Sequence, residues 1–302
     1  MELRHLRYFL AVAEELHFAR AAERLHIEQS PLSRAIKELE EELGVVLFAR
    51  TTRSTRLTRA GTLFLEHVRR VFTALEQARD SVKAAANGFS GQLRVALSDG
   101  IAPSRLPAVL ALCRQEEPEV EIRFFEVPLS QQLKGLHNDL LDIGFALSDG
   151  VNDGLVAELA WSDPLSVIVP ARHPLLEHVQ VKLRDALKFP LVLCHPDAGS
   201  GCHNQIQAVL NGAAVLPKVA DHVTSLGVML TLVGAGYGIG FAIASQVQTL
   251  NRPDIAVRPL AGTPPMLSTY LLRRRAEPSE PTKRFLERAR EEFGPKGDEP
   301  AS

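Results

Sequence analysis

The stretch His17-Phe-Ala-Arg-Ala-Ala-Glu-Arg-Leu-His-Ile-Glu-Gln-Ser-Pro-Leu-Ser-Arg-Ala-Ile-Lys-Glu-Leu-Glu-Glu-Glu-Leu43 decides how the chain begins. It reads as two short helices separated by a tight connection, the second with one apolar and one donor-rich face. Leu32, Ala35, Ile36, Leu39 and Leu43 recur at helical spacing and are expected to face a core. Gln29, Ser30, Ser33, Arg34 and Lys37 fall on the other side, and Pro31 suits a first helical turn. Such side chains hydrogen-bond to base edges and phosphates, so a helix of this kind fits a DNA major groove. An ordinary amphipathic helix pair satisfies the same pattern, and at this point both readings stand.

The next segment separates them. From Gly44 to Gly61 come Arg50, Arg53, Arg56 and Arg59 and no acidic residue. Leu47-Phe48 and Leu57 flank a polar stretch from Thr51 to Thr55, the pattern of a short hairpin with a basic tip. A run of charge is usually a solvated face. Directly behind a groove-sized helix, it instead suits contact with phosphate or the adjacent minor groove. The net charge of the chain is only −2, so nucleic-acid binding has to come from a local patch. That patch exists: Leu43 to Lys83 holds eight Lys or Arg against three Asp or Glu.

With these motifs the N-terminal segment resembles the winged helix-turn-helix of the LysR-type transcriptional regulators. The resemblance is carried by Met1-Glu-Leu-Arg-His-Leu-Arg-Tyr-Phe-Leu10, Ala21-Ala-Glu-Arg-Leu-His26, Gln29-Ser-Pro-Leu-Ser-Arg34, Leu39-Glu-Glu-Glu-Leu-Gly44, Leu47-Phe48 and Leu57-Thr-Arg-Ala-Gly61. It implies that Gln29, Pro31, Ser33 and Arg34 contact the operator and that Arg53 touches the minor groove. The donor face and the arginine run add Ser30, Lys37 and Arg50 to the expected DNA-binding set. Glu28 and Ser30 depart from the commonest family pattern. An acid beside the groove is repelled by phosphate, so Glu28 is expected to point away or to tune selectivity.

At 302 residues the chain can hold two domains with sizeable cores, and 45% hydrophobic with 23% charged residues is ordinary for a globular protein. No signal-like N-terminus and no run of 18 apolar residues is present. Cys113, Cys194 and Cys202 are too few and too scattered for a disulfide framework. A cytoplasmic protein without a membrane partner or cofactor is expected.

Residues 58–88 read as one long helix. Phe64, Val68, Val71, Leu75, Ala78, Val82 and Ala85 form a heptad seam, Thr58 can cap the start and Asn87-Gly88 can end it. At 1.5 Å per residue such a helix spans about 45 Å, too long to bury its seam on one small domain. A partner helix is implied, and in the family this segment is the dimerising linker. Two reading heads related by a two-fold axis call for a dyad-symmetric site, an interrupted palindrome of double-stranded DNA.

From Gly91 the pattern changes to strands alternating with helices, the mark of parallel α/β sheets. Strands are expected at 93–97, 120–125, 141–147, 165–169, 190–194, 239–243 and 267–272. Helices are expected at 106–116, 130–138, 225–233 and 281–293. This part resembles the family's effector domain, a two-lobed fold like the periplasmic binding proteins. The expected organisation is therefore α/β with an all-α winged helix-turn-helix domain at 1–58, a linker helix at 59–88 and an effector domain at 92–302. Lobe one takes 92–163 and 267–293, lobe two 164–266. By the same analogy an effector sits between the lobes against Ser98, Asp99, Leu129, Ser130, Ser200, Gly201, Cys202, His203, Thr224 and Ser225. Asp197-Ala-Gly-Ser-Gly-Cys202 is Gly-rich and opens a helix, so its backbone N–H groups suit a carboxylate; a plain helix cap and turn has the same composition. Asp99 would repel an anion unless it points outward or meets a donor. The stretch 226–245 is similar to regulators of aromatic-compound degradation, whose effectors are small aromatic acids or muconate-like diacids.

Three enzyme-like signals are weaker. The glycines at 234, 236, 238 and 240 follow a helix and enter a strand, the reverse of a dinucleotide-binding loop, so they read as a turn. Cys194-His195 and Cys202-His203 have the wrong spacing for zinc. The same two cysteines leave a thiol-redox-sensing regulator as an alternative, although the residues around them do not match the peroxide-sensing members of the family. No catalytic arrangement can be located by motif, and an enzyme is not expected. The expected partners are DNA, a small-molecule effector, further copies in a homodimer or homotetramer, and RNA polymerase. The rival from another class is a solute-binding protein or enzyme whose N-terminal helices only dimerise.

Overall fold

A computed structural model of the chain describes residues 1–50, 54–86, 90–98, 100–101, 105–213, 216–248 and 250–293. It divides into two units, Met1–Asp80 and Ser81–Ser302.

In the first unit, helices α1 (Leu3–Glu15), α2 (Phe18–Arg24) and α3 (Gln29–Leu43) precede a hairpin of β1 (Phe48–Arg50) and β2 (Thr55–Leu57), and α4 (Arg59–Ala86) follows. Local chemistry sets the breaks. Leu16 turns left-handed and donates its N–H to the Val12 carbonyl to end α1, and His17 caps α2 by accepting from the Arg20 N–H. Gly44, at φ +68°, ends α3. The apolar faces of the three helices meet around Phe9, Val12, Ile36, Leu39 and Phe48, and Val68 of α4 closes the cluster. Thr58 caps α4 as expected: its hydroxyl accepts from the Gly61 N–H at 2.9 Å and donates to the Val46 carbonyl at 2.7 Å. The expected cap at Asn87-Gly88 lies outside the described residues. Beyond Val68 the heptad seam leaves its own chain, with Val71 and Val82 exposed.

The second unit holds β3 (Gly91–Leu97), α5 (Leu106–Glu116), β4 (Val120–Glu126), α6 (Leu129–His137), β5 (Ile143–Ala146) and a long β6 (Leu155–Pro170). After these come α7 (Leu183–Ala186), β7 (Leu191–Cys194), α8 (Ser200–Asn211), β8 (Val219–Val223), α9 (Leu226–Gly234), β9 (Ile239–Ile243), α10 (Ala244–Gln248), β10 (Ile255–Pro259), β11 (Met266–Arg274) and α11 (Glu280–Phe293). Strand order is β4-β3-β5-β11-β6 on one side and β6-β9-β7-β8 on the other, with β10 on the far edge of β6. β3 pairs parallel with β4 and β5, and β7 pairs parallel with β8 and β9. β6 belongs to both sheets: up to Pro164 it pairs antiparallel with β11, and from Leu165 with β9.

This corrects the sequence reading in one respect. Only the Leu165–Val169 half of β6 was expected, because Ser162-Asp163-Pro164 interrupts the apolar run. Two antiparallel strands, β6 and β11, therefore link what otherwise are parallel sheets. β8 and β10 were also unread, since β8 is polar and mostly exposed and β10 is short.

Candidate functional site

On α3 the expected division of faces is realised. Leu32, Ala35, Ile36 and Leu39 are buried, whereas Gln29, Ser30, Pro31, Arg34 and Lys37 are exposed and Ser33 is half-buried. Arg34 makes no ion pair or hydrogen bond among the described residues, so its five donors are unengaged. Lys37 pairs with Glu41 one turn on, at 3.4 Å. Glu28 is exposed at the N-cap and forms no capping bond with its side chain.

Arg50 differs from expectation. Its guanidinium stacks 4.4 Å from the centroid of the Phe18 ring, donates to Glu40 Oε2 at 3.1 Å and reaches Ser33 Oγ at 3.4 Å. Glu40, which sequence reasoning passed over as one acid among three, also accepts the Leu47 and Phe48 N–H groups through Oε1 at 2.8 and 3.0 Å. Arg50 and Glu40 thus clasp the hairpin to α2 and α3, a structural duty that competes with a phosphate contact. Arg53 lies outside the described residues.

In the second unit the parallel strands direct their carboxyl ends to one edge of each sheet, where open α/β folds gather ligands. Ser98 follows β3, with its N–H on the Phe145 carbonyl at 3.0 Å. Leu129 and Ser130 open α6 beyond β4. Ser200 to His203 open α8 beyond β7, and Thr224 with Ser225 follow β8, Ser225 capping α9 through its Oγ. The two lobes meet here. Gln205 of α8 donates to the carbonyls of Leu147 (2.9 Å) and Ser268 (2.7 Å) and accepts from the Ser268 N–H (2.8 Å). Between the lobes Gly100, Cys194, Cys202, Leu226, Met229 and Gln246 enclose a space of about 10 Å³, room for one water at most.

Residues 3–62 match the bacterial regulatory helix-turn-helix protein family, lysR type, and residues 86–294 match the LysR substrate binding domain. The chain belongs to the LysR family of transcriptional regulators. This LysR-family regulator is 35% identical over 246 residues to the uncharacterised HTH-type transcriptional regulator YnfL of Escherichia coli K12, covering 81% of this chain and 83% of that protein. It is 34% identical over 258 residues to the HTH-type transcriptional regulator AlsR of Bacillus subtilis 168, covering 85% of each. Its fold is similar to that of full-length CbnR, a structure solved in complex with its target DNA. The TM-score is 0.74 at 29% identity, over 97% of this chain and 100% of that one.

In this LysR regulator two of the expected contacts, Gly201 and His203, have structural partners, and the third, Cys202, lines the interlobe space. Gly201 is a packing residue: a Cβ there would stand 2.8 Å from the Leu147 carbonyl oxygen, so the absent side chain is what lets α8 reach lobe one. His203 turns back to β7, its Nδ1 2.9 Å from the Cys194 carbonyl oxygen. Cys202 is buried with its Sγ 2.6 Å from that of Cys194. Asp99 lies outside the described residues. Leu226, Met229 and Gln246, which sequence reasoning missed, line the enclosed space; Leu226 and Met229 sit one and four residues after the cap Ser225, a spacing that could have flagged them. The glycine run enters a strand from a helix, as read: residues 235–238 form the turn, Gly234 ends α9 and Gly240 lies in β9. No helix among the described residues is long and apolar enough to cross a membrane.

Proposed function

We propose that this regulator reads DNA as a symmetric pair of heads, each laying α3 in a major groove, and that a small carboxylate between the lobes sets the output to RNA polymerase in the cytoplasm. The observation that carries the reading is the face of α3: Gln29, Ser30, Ser33, Arg34 and Lys37 present donors above a fully buried apolar stripe. Pro31 opens that face and Arg53 extends the basic run behind it. The uncovered seam of α4 supports pairing, with a winged head at 1–58, a linker at 59–88 and an effector domain at 92–302. The target is then an interrupted palindrome. A gel shift on DNA upstream of the protein's own gene tests the assignment, and a shift that weakens steeply with salt is expected. Absence of any salt-sensitive shift favours the solute-binding rival.

For the effector, the first turn of α8 supplies N–H groups with no intrahelical partner at a point where both lobes meet. Ser200, Ser98, Ser130, Thr224 and Ser225 add hydroxyls around it. Small aromatic or dicarboxylic acids are expected to raise the melting temperature of the full chain by mass action, and less so in Ser200→Asp, whose charge repels an anion. A screen in which only sugars or amino acids stabilise the protein, or an unaffected Ser200→Asp, overturns the carboxylate class.

Cys194 and Cys202 favour a second reading, a thiol switch. A hydroperoxide oxidises the two thiols to one disulfide: each sulfur gives up a proton and an electron, and the peroxide O–O bond is reduced to an alcohol and water. The disulfide would fix the start of α8 to the end of β7. After peroxide treatment and alkylation of the unfolded chain, one thiol should react, with all three recovered by dithiothreitol. Three reactive thiols after peroxide sink this reading.

A further inference from the structure

Spacing along the chain rules out Cys194-His195 and Cys202-His203 as a zinc set, but the fold gives His203 a different neighbour. β7, α8 and β8 form a parallel strand–helix–strand unit, so the start of α8 and the end of β8 come to the same edge of the lobe-two sheet. Successive side chains of a strand point to opposite faces. Val223 turns inward and is buried, so His222 turns outward on the face that meets α8. There its ring centroid lies 5.8 Å from that of His203, with the two planes tilted by 50°.

The two rings are held differently. His203 is half-buried in the first turn of α8, and its Nδ1 lies 2.9 Å from the Cys194 carbonyl oxygen. A carbonyl only accepts, so Nδ1 carries the proton and the neutral ring keeps a bare lone pair on Nε2. Proteins orient metal-ligating histidines in this way, by anchoring the other ring nitrogen on a carbonyl. His222 is exposed, and its ring makes no hydrogen bond or ion pair among the described residues. The neighbouring carboxylate is occupied, since Asp221 Oδ1 accepts the His222 backbone N–H at 2.8 Å. Two imidazoles bound to one tetrahedral zinc at about 2.0–2.1 Å hold their centroids roughly 5 Å apart. A small rotation of the exposed His222 side chain closes the remaining gap.

We propose that His203 and His222 form a site for a divalent transition metal that favours imidazole, zinc being the simplest case. No group of three or more His, Cys, Asp or Glu that could hold a metal occurs among the described residues, so the protein supplies two ligands and water completes the shell. An open shell of this kind exchanges its metal. The site ties α8 to β8 one half-turn before Gln205, whose side chain joins α8 to the backbone of Leu147 and Ser268 in lobe one. Metal occupancy therefore bears on the contact between the lobes. Neither histidine lines the interlobe space, so the site stands whether or not the carboxylate reading does.

Titrating the full-length, tag-free protein with zinc chloride in a calorimeter should show one saturable site per chain. His222→Ala changes an exposed side chain and should keep the far-UV spectrum, while raising the Kd about tenfold or more because one of two protein ligands is gone. His203→Ala should do the same. His178→Ala, at another exposed histidine, and Cys194→Ser should leave the Kd unaltered, and excess magnesium, which prefers oxygen ligands, should not compete. The proposal is overturned if zinc shows no saturable binding, if His222→Ala matches the original Kd, or if Cys194→Ser abolishes binding. That last result would place the metal on the thiol pair instead.

Discussion

Arg34→Ala should lower affinity for the operator by about 1–3 kcal/mol per reading head, since a bidentate guanidinium contact to a base is worth that much. Two heads on one palindrome double the loss, to roughly 30-fold at the low end and about 20,000-fold at the high end. The folded protein should not notice, because Arg34 has no partner among the described residues and surface changes of this sort shift stability by less than about 0.5 kcal/mol. Base preference should relax at the contacted position. Lys37→Ala is the natural contrast. Its ammonium is a point charge already shared with Glu41, so the loss should be smaller, even across sequences and visible as a salt slope reduced by about one. Footprints and salt titrations of the two variants distinguish these roles. An Arg34→Ala footprint identical to the parent removes Arg34 from the interface.

Gly61→Ala is expected to unfold the DNA-reading unit selectively. A Cβ at Gly61 would lie 2.1 Å from the Leu47 carbonyl oxygen, 3.1 Å from its carbon and 3.0 Å from Leu57 Cδ2. That carbonyl cannot retreat cheaply: it accepts the Thr58 N–H at 2.9 Å, and the Leu47 N–H is held by Glu40. Overpacking against backbone costs about 1–3 kcal/mol and sometimes more. For a unit of this size each kcal/mol removes about 4–8 °C of melting temperature. Calorimetry should therefore show an early transition falling while the effector unit melts as before, and DNA binding should fail in parallel. A variant that melts like the parent and still shifts DNA would mean that α4 can move off Leu47.

The contrast between these two sites explains what was legible. Arg34 was readable because a helix face follows from spacing: once Leu32, Ala35, Ile36 and Leu39 turn inward, the residues between them turn out. Gly61 was readable only as part of a motif, since its reason is a carbonyl from another element. The same division runs through the clefts. Ser98, Leu129 and Ser225 fall at strand and helix ends that periodicity predicts. Gly201 and His203 were assigned to the effector by position, yet one packs on Leu147 and the other bonds to Cys194. Glu40 and Gln205 were passed over, because each gains its role from partners seven to sixty-three residues away.

By itself the sequence determined the winged helix-turn-helix head, the long seam-bearing helix and the strand–helix alternation, because local periodicity and capping are properties of neighbours along the chain. Only the tertiary structure decided that β6 threads both sheets and that Arg50 clasps Glu40. It alone brought Cys194 and Cys202 together and turned Trp161 into a cleft beside Phe293. Each of these depends on how separate elements pair and pack, and the placing of Trp161 on a one-residue bulge in β6 as well; hydrophobic spacing carries no record of either.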